Sequence, residues 1–257
     1  MRNHLLRAAA GTAAASSGGG GSAAYVTDDL VFHIDAGNSS SYSGSGTTVN
    51  SLVGNMTSNT FDSDITYSSS DGGSWFFNYL CTDGIQFDAS SFMPLGSNDV
   101  TYESWYKLNS HFTTPFSIWR VTPNNNNLYS FYNYHRFSNR VRIGKDSGTG
   151  THYAESGGWT FAPYNWKHVV ASHDTSTSTI KIYVNGSLVK TETDTNYWSS
   201  YQNNATDTYK LAVGTNGISS NLRHIGNISI VRFYKGRALS ATEVTQNFDA
   251  EKARYGY

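Results

Sequence analysis

The sequence holds one cysteine, Cys81, so no intrachain disulfide framework can staple the fold and stability must come from a buried core. A chain of 257 residues is long enough to build one. Charge is scarce as well: Asp, Glu, Lys and Arg make up 14% of the residues, against a usual quarter, and nearly cancel at a net −1. Without a basic run, the electrostatic footprint of a nucleic-acid binder is missing, and no acidic tail replaces it. No run of 18 or more apolar residues occurs, so no helix is expected to insert into a membrane. Only four prolines interrupt the chain.

What is abundant is aromatic and neutral polar. Aromatics reach 14%, with 18 Tyr and 6 Trp, and polarity comes mainly from Ser, Thr, Asn and Gly. That is the composition of a sheet protein with long loops. We expect one large domain over residues 25–257, preceded by an arm and Gly/Ser-rich linker over residues 1–24. The arm, MRNHLLRAAAGTAAASSGGGGSAA, resembles a secretory leader in its early positive charge. Its apolar stretch is only Leu5-Leu6 before Arg7 interrupts, so the hydrophobic region of a leader is lacking. The SSGGGGSAA stretch reads as a flexible tether. The functional expectation is a docking arm, with Leu5 and Leu6 as apolar anchors and Arg2 and Arg7 as donors to a partner subunit. The alternative is a plain disordered terminus.

Strand-like runs separated by Ser, Gly and Asn clusters are expected at 29–34, 60–67, 74–79, 84–87, 99–108, 115–121, 128–134 and 137–143. Within 99–108, Val100, Tyr102, Ser104, Tyr106 and Leu108 share one face and Glu103 and Trp105 the other, as in a strand covered on both sides. The run NWKHVVASHD leads through a polar turn into IKIYVNGSLVKTET, where Asn185-Gly186 predicts a two-residue type I′ hairpin. The simplest register pairs Val184 with Ser187 and Ile182 with Val189, and sets Lys181 against Lys190, a mildly unfavourable pair. Near the end, Ser240 and Glu243 form a capping-box pattern, with Val244 and Phe248 on one helical face. This helix is expected to lie as a lid on a sheet edge.

The order W-x-H-V-V, polar turn, I-x-I-Y-V-N-G-x-x-V (residues 166–189), followed by GNISIVRFYKGRALSATEVTQNF at 226–248, resembles the middle and end of laminin-G-like, concanavalin-A-like jelly rolls. The opening LVFHIDAGNSSSYSGSGTTVNSLVGN at 30–55 is similar to such domains in tailed-phage virion proteins. The resemblance implies an all-β, two-sheet antiparallel jelly-roll sandwich with one short C-terminal helix. It further implies a non-enzymatic virion component (capsid decoration, head fibre or tail fibre) made in the host cytoplasm, with other virion proteins as partners of the arm. A carbohydrate-binding adhesin or lectin module is the second reading and a sandwich glycosidase the third. Self-association is left open.

Sandwich glucanases carry Glu-x-Asp-x-(x)-Glu on one strand, because alternate positions project both carboxylates into the sugar cleft. Glu192 and Asp194 start such a pattern, but Asn196 or Tyr197 stands where the third carboxylate belongs. No G-x-S-x-G elbow and no zinc spacing occurs, and His168 and His173 read as sheet residues. No cofactor is therefore expected. Calcium stays open through Asp62, Asp64, Asp83 and Asp88, although solvated turn aspartates are the better reading of them. The stronger candidate is a glycan-binding loop carrying Tyr197, Trp198, Tyr201 and Asn203, where aromatic faces alternate with amide hydrogen-bonders. The same aromatics could instead cover a sheet edge. A second polar-aromatic patch, 124–134, ranks below it.

Overall fold

The computed structural model describes residues 24–93, 95, 98–109, 113–121, 128–136, 140–146, 151–155, 164–193, 208–215 and 223–257. Two antiparallel sheets face each other. The first is built from β1 (Leu30–Asp35), β3 (Thr66–Ser68), β4 (Ser74–Phe77), β6 (Val100–Leu108), β11 (Lys167–Asp174), β12 (Thr179–Val184), β13 (Ser187–Thr193) and β15 (Gly226–Lys235). The second contains β2 (Thr60–Phe61), β5 (Ile85–Asp88), β7 (Thr113–Val121), β8 (Leu128–Arg136), β9 (Arg140–Asp146), β10 (Thr151–Glu155) and β14 (Thr208–Val213). Their orders are β13-β12-β11-β6-β15-β4-β3 and β10-β9-β8-β7-β14-β5-β2. This is the expected jelly-roll sandwich.

The ten-residue β15 organises the first sheet. Its inner edge pairs with β6 along the whole length, while its outer edge is shared by β4, at Gly226–Ile228, and by β1, at Ile230–Tyr234. At the handover the ladder shifts around Ser229, whose hydroxyl donates to the Gly73 carbonyl at 2.5 Å. Between the sheets lies one continuous core. Trp75, Tyr102, Ile182 and Phe233 of the first sheet meet Phe87, Phe116, Ile118 and Leu211 of the second. Tyr102 stacks on Phe116 with ring centroids 4.7 Å apart. The alternation expected for β6 holds: Tyr102 and Tyr106 join this core, whereas Glu103 and Trp105 turn outward beneath the C-terminal segment.

Asn185 and Gly186 have φ of 51° and 76°, the positive pair that a type I′ turn requires. Val184 faces Ser187 as expected, but the next pairs are Tyr183 with Leu188 and Ile182 with Lys190. A bulge at Val189 therefore replaces the expected Ile182–Val189 pair. It also removes the Lys181–Lys190 clash: Lys181 now faces Thr191, and Lys190 forms an ion pair with Glu192 at 2.8 Å. An extra residue in an edge strand is a low-cost way to relieve such a clash.

Two further expectations need correction. The run 60–67 is not one strand: β2 and β3 belong to opposite sheets, joined by a corner at Asp62–Ile65. The helix α1 (Ala241–Glu251) starts at Ser240 with both halves of the capping box formed, but it covers the outer face of the first sheet and not its edge. Val244 packs with Val170, Tyr183 and Tyr234, and Phe248 stacks on Trp105 at 5.6 Å. Both faces of the central strands carry apolar residues, so an exposed outer face would be untenable and the helix must close it.

Candidate functional site

Under α1 lies a cluster of buried charges. Glu103, His168 and Arg232 have fully buried side chains. Glu103 accepts from Arg232 at 2.8 Å and from Asn247 at 2.5 Å, and its carboxylate lies 3.1 Å from the His168 ring. Arg232 also pairs with Glu251, and the Tyr234 hydroxyl donates to the Val26 carbonyl at 3.0 Å. Burial opposes the charge on Glu103, but Arg232, His168 and Asn247 outweigh it and hold the carboxyl down at about 2. Burial pushes Glu251 up, and the neighbouring Glu103 charge adds to this. Glu103 is sealed beneath the helix, and Glu251, on the last turn of α1, is held by Arg232. They fasten α1 and the entering residues Ala24–Val26 to the sheet, with Gln246 donating to the Ala24 carbonyl and the Val26 amide to Asn247.

Two of the aspartates considered for calcium, Asp62 and Asp88, are engaged by backbone amides. Asp62 accepts from the backbone amides of Asp64, Thr82 and Asp83 at 2.7–2.9 Å, ties the sheet-switching corner to the β4–β5 loop, and has its carboxyl lowered by those bonds against the effect of burial. Asp88 caps Ser90. Among the described residues no three His, Cys, Asp or Glu side chains converge on a point. His168 and His173 lie on β11, as expected. The anchoring residues Arg2, Leu5, Leu6 and Arg7 and the loop residues Tyr197, Trp198, Tyr201 and Asn203 lie outside the described residues.

The structure brings forward a different surface, at the end of the first sheet where β15 begins. All five strongly exposed large apolar residues among the described ones, Tyr79, Leu80, Tyr164, Leu188 and Tyr257, belong to this Gly226 end. Tyr79 and Leu80 follow β4, Tyr164 precedes β11, Leu188 follows the Asn185-Gly186 turn, and the Tyr257 hydroxyl bonds the Trp166 carbonyl at 2.5 Å. By contrast, Thr193 and Thr208, which flank the loop favoured from sequence, stand at the opposite end.

The loop between Asn78 and Gly84 is held from several sides. Asn78 accepts from the Leu80 amide at 2.6 Å and donates to the Asp64 carbonyl at 2.9 Å. Arg223 donates to the Tyr79 carbonyl, Thr215 to that of Thr82, and Gln86 to that of Asp83. Inward, Cys81 is fully buried, and burial pushes its thiol up to about 11, which makes it a small apolar anchor and not a nucleophile. A loop fixed this way could bury its aromatic. Instead Tyr79 is 68% exposed and Leu80 50%. Sequence reading missed the pair because it treated 74–79 as strand.

Comparison with known proteins follows the fold. The model of the concanavalin A-like lectin/glucanases superfamily matches residues 77–245. No curated protein matches the chain. Among solved structures, domain 4 of AbnA, an extracellular arabinanase from Geobacillus stearothermophilus in complex with arabinotriose, superposes with a TM-score of 0.59 at 18% identity, covering 87% of this chain and 98% of that one. The CBM40 of the Ruminococcus gnavus IT-sialidase gives 0.52 at 16%, covering 67% and 94%. A Trypanosoma rangeli sialidase gives 0.60 at 14%, covering 94% of this chain but 36% of the other. At these identities the likeness is one of fold. With the family model spanning more than half of its residues and a matching two-sheet sandwich, the chain belongs to the concanavalin A-like lectin/glucanases superfamily.

Proposed function

We propose that this chain is a non-enzymatic, lectin-like component of a tailed-phage virion, a capsid decoration, head-fibre or tail-fibre protein that binds host surface glycans at its Gly226 end. The observation that carries the glycan reading is Tyr79 and Leu80, held outward on a loop whose backbone is tied at Tyr79, Leu80, Thr82 and Asp83. An aromatic on a backbone already fixed, beside polar groups, suits sugar binding, because only the ring's own rotamer is left to order at the moment of association. The chemistry of hydrolysis has less support: Glu192 is paired with Lys190, Glu103 is closed off under α1, and Glu251 is paired with Arg232.

The layout suits display. The chain enters over α1, where Tyr234 holds Val26, while the tyrosines stand at the other end of β15. Eight residues of strand separate the two, about 25 Å. An arm over residues 1–24 would then attach the module to a virion partner and leave the rim facing outward. Two measurements test this. A glycan array should show binding that Tyr79→Ala removes while circular dichroism stays native; an array without any hit defeats the lectin role. Mass spectrometry of assembled particles should find the full chain and lose it when residues 1–23 are deleted; normal incorporation of the truncated chain defeats the anchoring arm.

A further inference from the structure

We propose that Asn185 is a deamidation site that the folded chain holds closed through His168 and Tyr257. Asn185 is followed by Gly186, which has no side chain to screen its amide nitrogen. That nitrogen can attack the carboxamide carbon of Asn185. A C–N bond then closes a cyclic imide, the side-chain nitrogen leaves as ammonia with the proton of the Gly186 amide, and water opens the ring at either carbonyl. Opening at one carbonyl leaves aspartate, and at the other an isoaspartate whose backbone runs through the former side chain. Water is the only co-reactant.

Ring closure requires the carboxamide to swing toward the residue that follows, and the structure holds it the other way. The Asn185 amide donates to the His168 carbonyl at 2.8 Å, and the His168 amide donates back to Oδ1 of Asn185 at 3.1 Å. The side chain thereby adds a rung to the β11–β12 ladder, one step beyond the Val169–Val184 pair. Nδ2 donates to the Tyr257 hydroxyl at 3.2 Å. That hydroxyl is itself fixed: it donates to the Trp166 carbonyl at 2.5 Å and accepts from the Lys167 ammonium at 3.1 Å, while its ring stands edge-on to Phe248 at 5.6 Å. Gly186 is confined as well, with its carbonyl accepting from Thr245 at 3.5 Å and the Phe248 ring 3.2 Å from where a Cβ would stand. Both ends of the carboxamide are occupied on the β11 side, so its carbon reaches the Gly186 nitrogen only when the bonds to His168 and Tyr257 break. Neither product keeps the Nδ2 donor, and isoaspartate lengthens the backbone of a two-residue turn between β12 and β13. A lifting of the segment after α1 is in this way recorded as an irreversible loss of the Asn185 amide.

The test incubates the full chain at mildly alkaline pH, folded in buffer or unfolded in urea, and follows the peptide containing Asn185 by mass spectrometry. Each bond that must break slows ring closure about two- to tenfold, so folded wild type should lose the amide at least about tenfold more slowly than the chain in urea. Tyr257→Phe keeps the ring and removes only the hydroxyl, and it should speed the loss in the folded protein about two- to tenfold. Ile118→Val, which weakens the core between the sheets far from the hairpin, should leave the Asn185 rate at the wild-type value. Deamidation of folded wild type at the urea rate, or an unchanged rate in Tyr257→Phe, overturns the proposal. So does an equal acceleration in Ile118→Val, because the rate would then follow unfolding of the whole chain and not the local contacts. An Asn185 amide that survives even in urea removes the site altogether.

Discussion

His224 offers a measurement that tests the core directly. Its ring is fully buried between Phe77 and Tyr106, edge-on to both at 5.9 Å. Burial lowers its pKa to about 3, and backbone contacts at Asn227 and Lys107 offset only part of the effect. In the unfolded chain the same ring titrates near 6.5. A base whose folded pKa is depressed contributes its full stability above the unfolded pKa and loses it as pH falls toward the folded one. Each unit below 6.5 removes about 1.4 kcal/mol, so between pH 7 and pH 5 His224 alone accounts for a loss of about 2 kcal/mol. His33 acts in the same sense: burial, with the charges of Arg232 and Arg254, lowers its pKa well below the ordinary value. Urea denaturation at half-unit pH steps gives the slope of stability against pH, which counts protons. His224→Leu removes one titrating ring, so its slope over this window should be shallower than wild type by about one proton, whatever the mutation costs at pH 7. Identical slopes in the two proteins would show that His224 is solvated and that the packing described around it is wrong.

Other perturbations probe separate parts. Gly186→Val puts a β-branched residue at φ of 76° and its Cβ 3.2 Å from the Phe248 ring, so the urea midpoint should fall by the equivalent of at least about 1 kcal/mol; an unchanged midpoint refutes the hairpin geometry. Glu103→Ala leaves Arg232 short of a buried partner and should cost about 3–5 kcal/mol, visible as a large drop in Tm, whereas loss of a weak surface pair would barely register. Treatment with EDTA or with a thiol reductant should leave Tm unchanged, since Cys81 is a lone buried thiol and Asp62 is engaged by backbone amides; a fall with EDTA alone would reinstate calcium.

The hairpin was legible because Asn-Gly dictates its own conformation, and the covered faces of β6 were legible because alternation is a local property. The bulge at Val189 was not: register beyond a turn depends on the cross-strand neighbours, although the predicted Lys181–Lys190 pair already signalled strain. The break in 60–67 escaped because Asp62 completes that corner with amides some twenty residues away. Glu103 could be placed facing outward, but its partners come from β11, β15 and α1. The tyrosine rim is least visible of all. Tyr79 and Tyr164 are brought to the same end by the non-sequential order of four strands, and no window of sequence contains that order.

The fastening of residues Ala24–Val26 has a mechanical consequence. If the chain is tethered through its N-terminus as proposed and pulled at its Gly226 end, the load enters at Ala24. There it meets the bonds to Gln246, Asn247 and Tyr234 before it reaches the ladder between β1 and β15. The Asn247 amide and the Tyr234 hydroxyl both contact the carboxylate of Glu103, itself paired with Arg232. Tension is therefore shared among several charge-assisted bonds at once, so they must give together rather than one after another. For a chain loaded through its N-terminus, the C-terminal helix, which follows all the strands, would serve as a shear clamp between that entry and the sandwich.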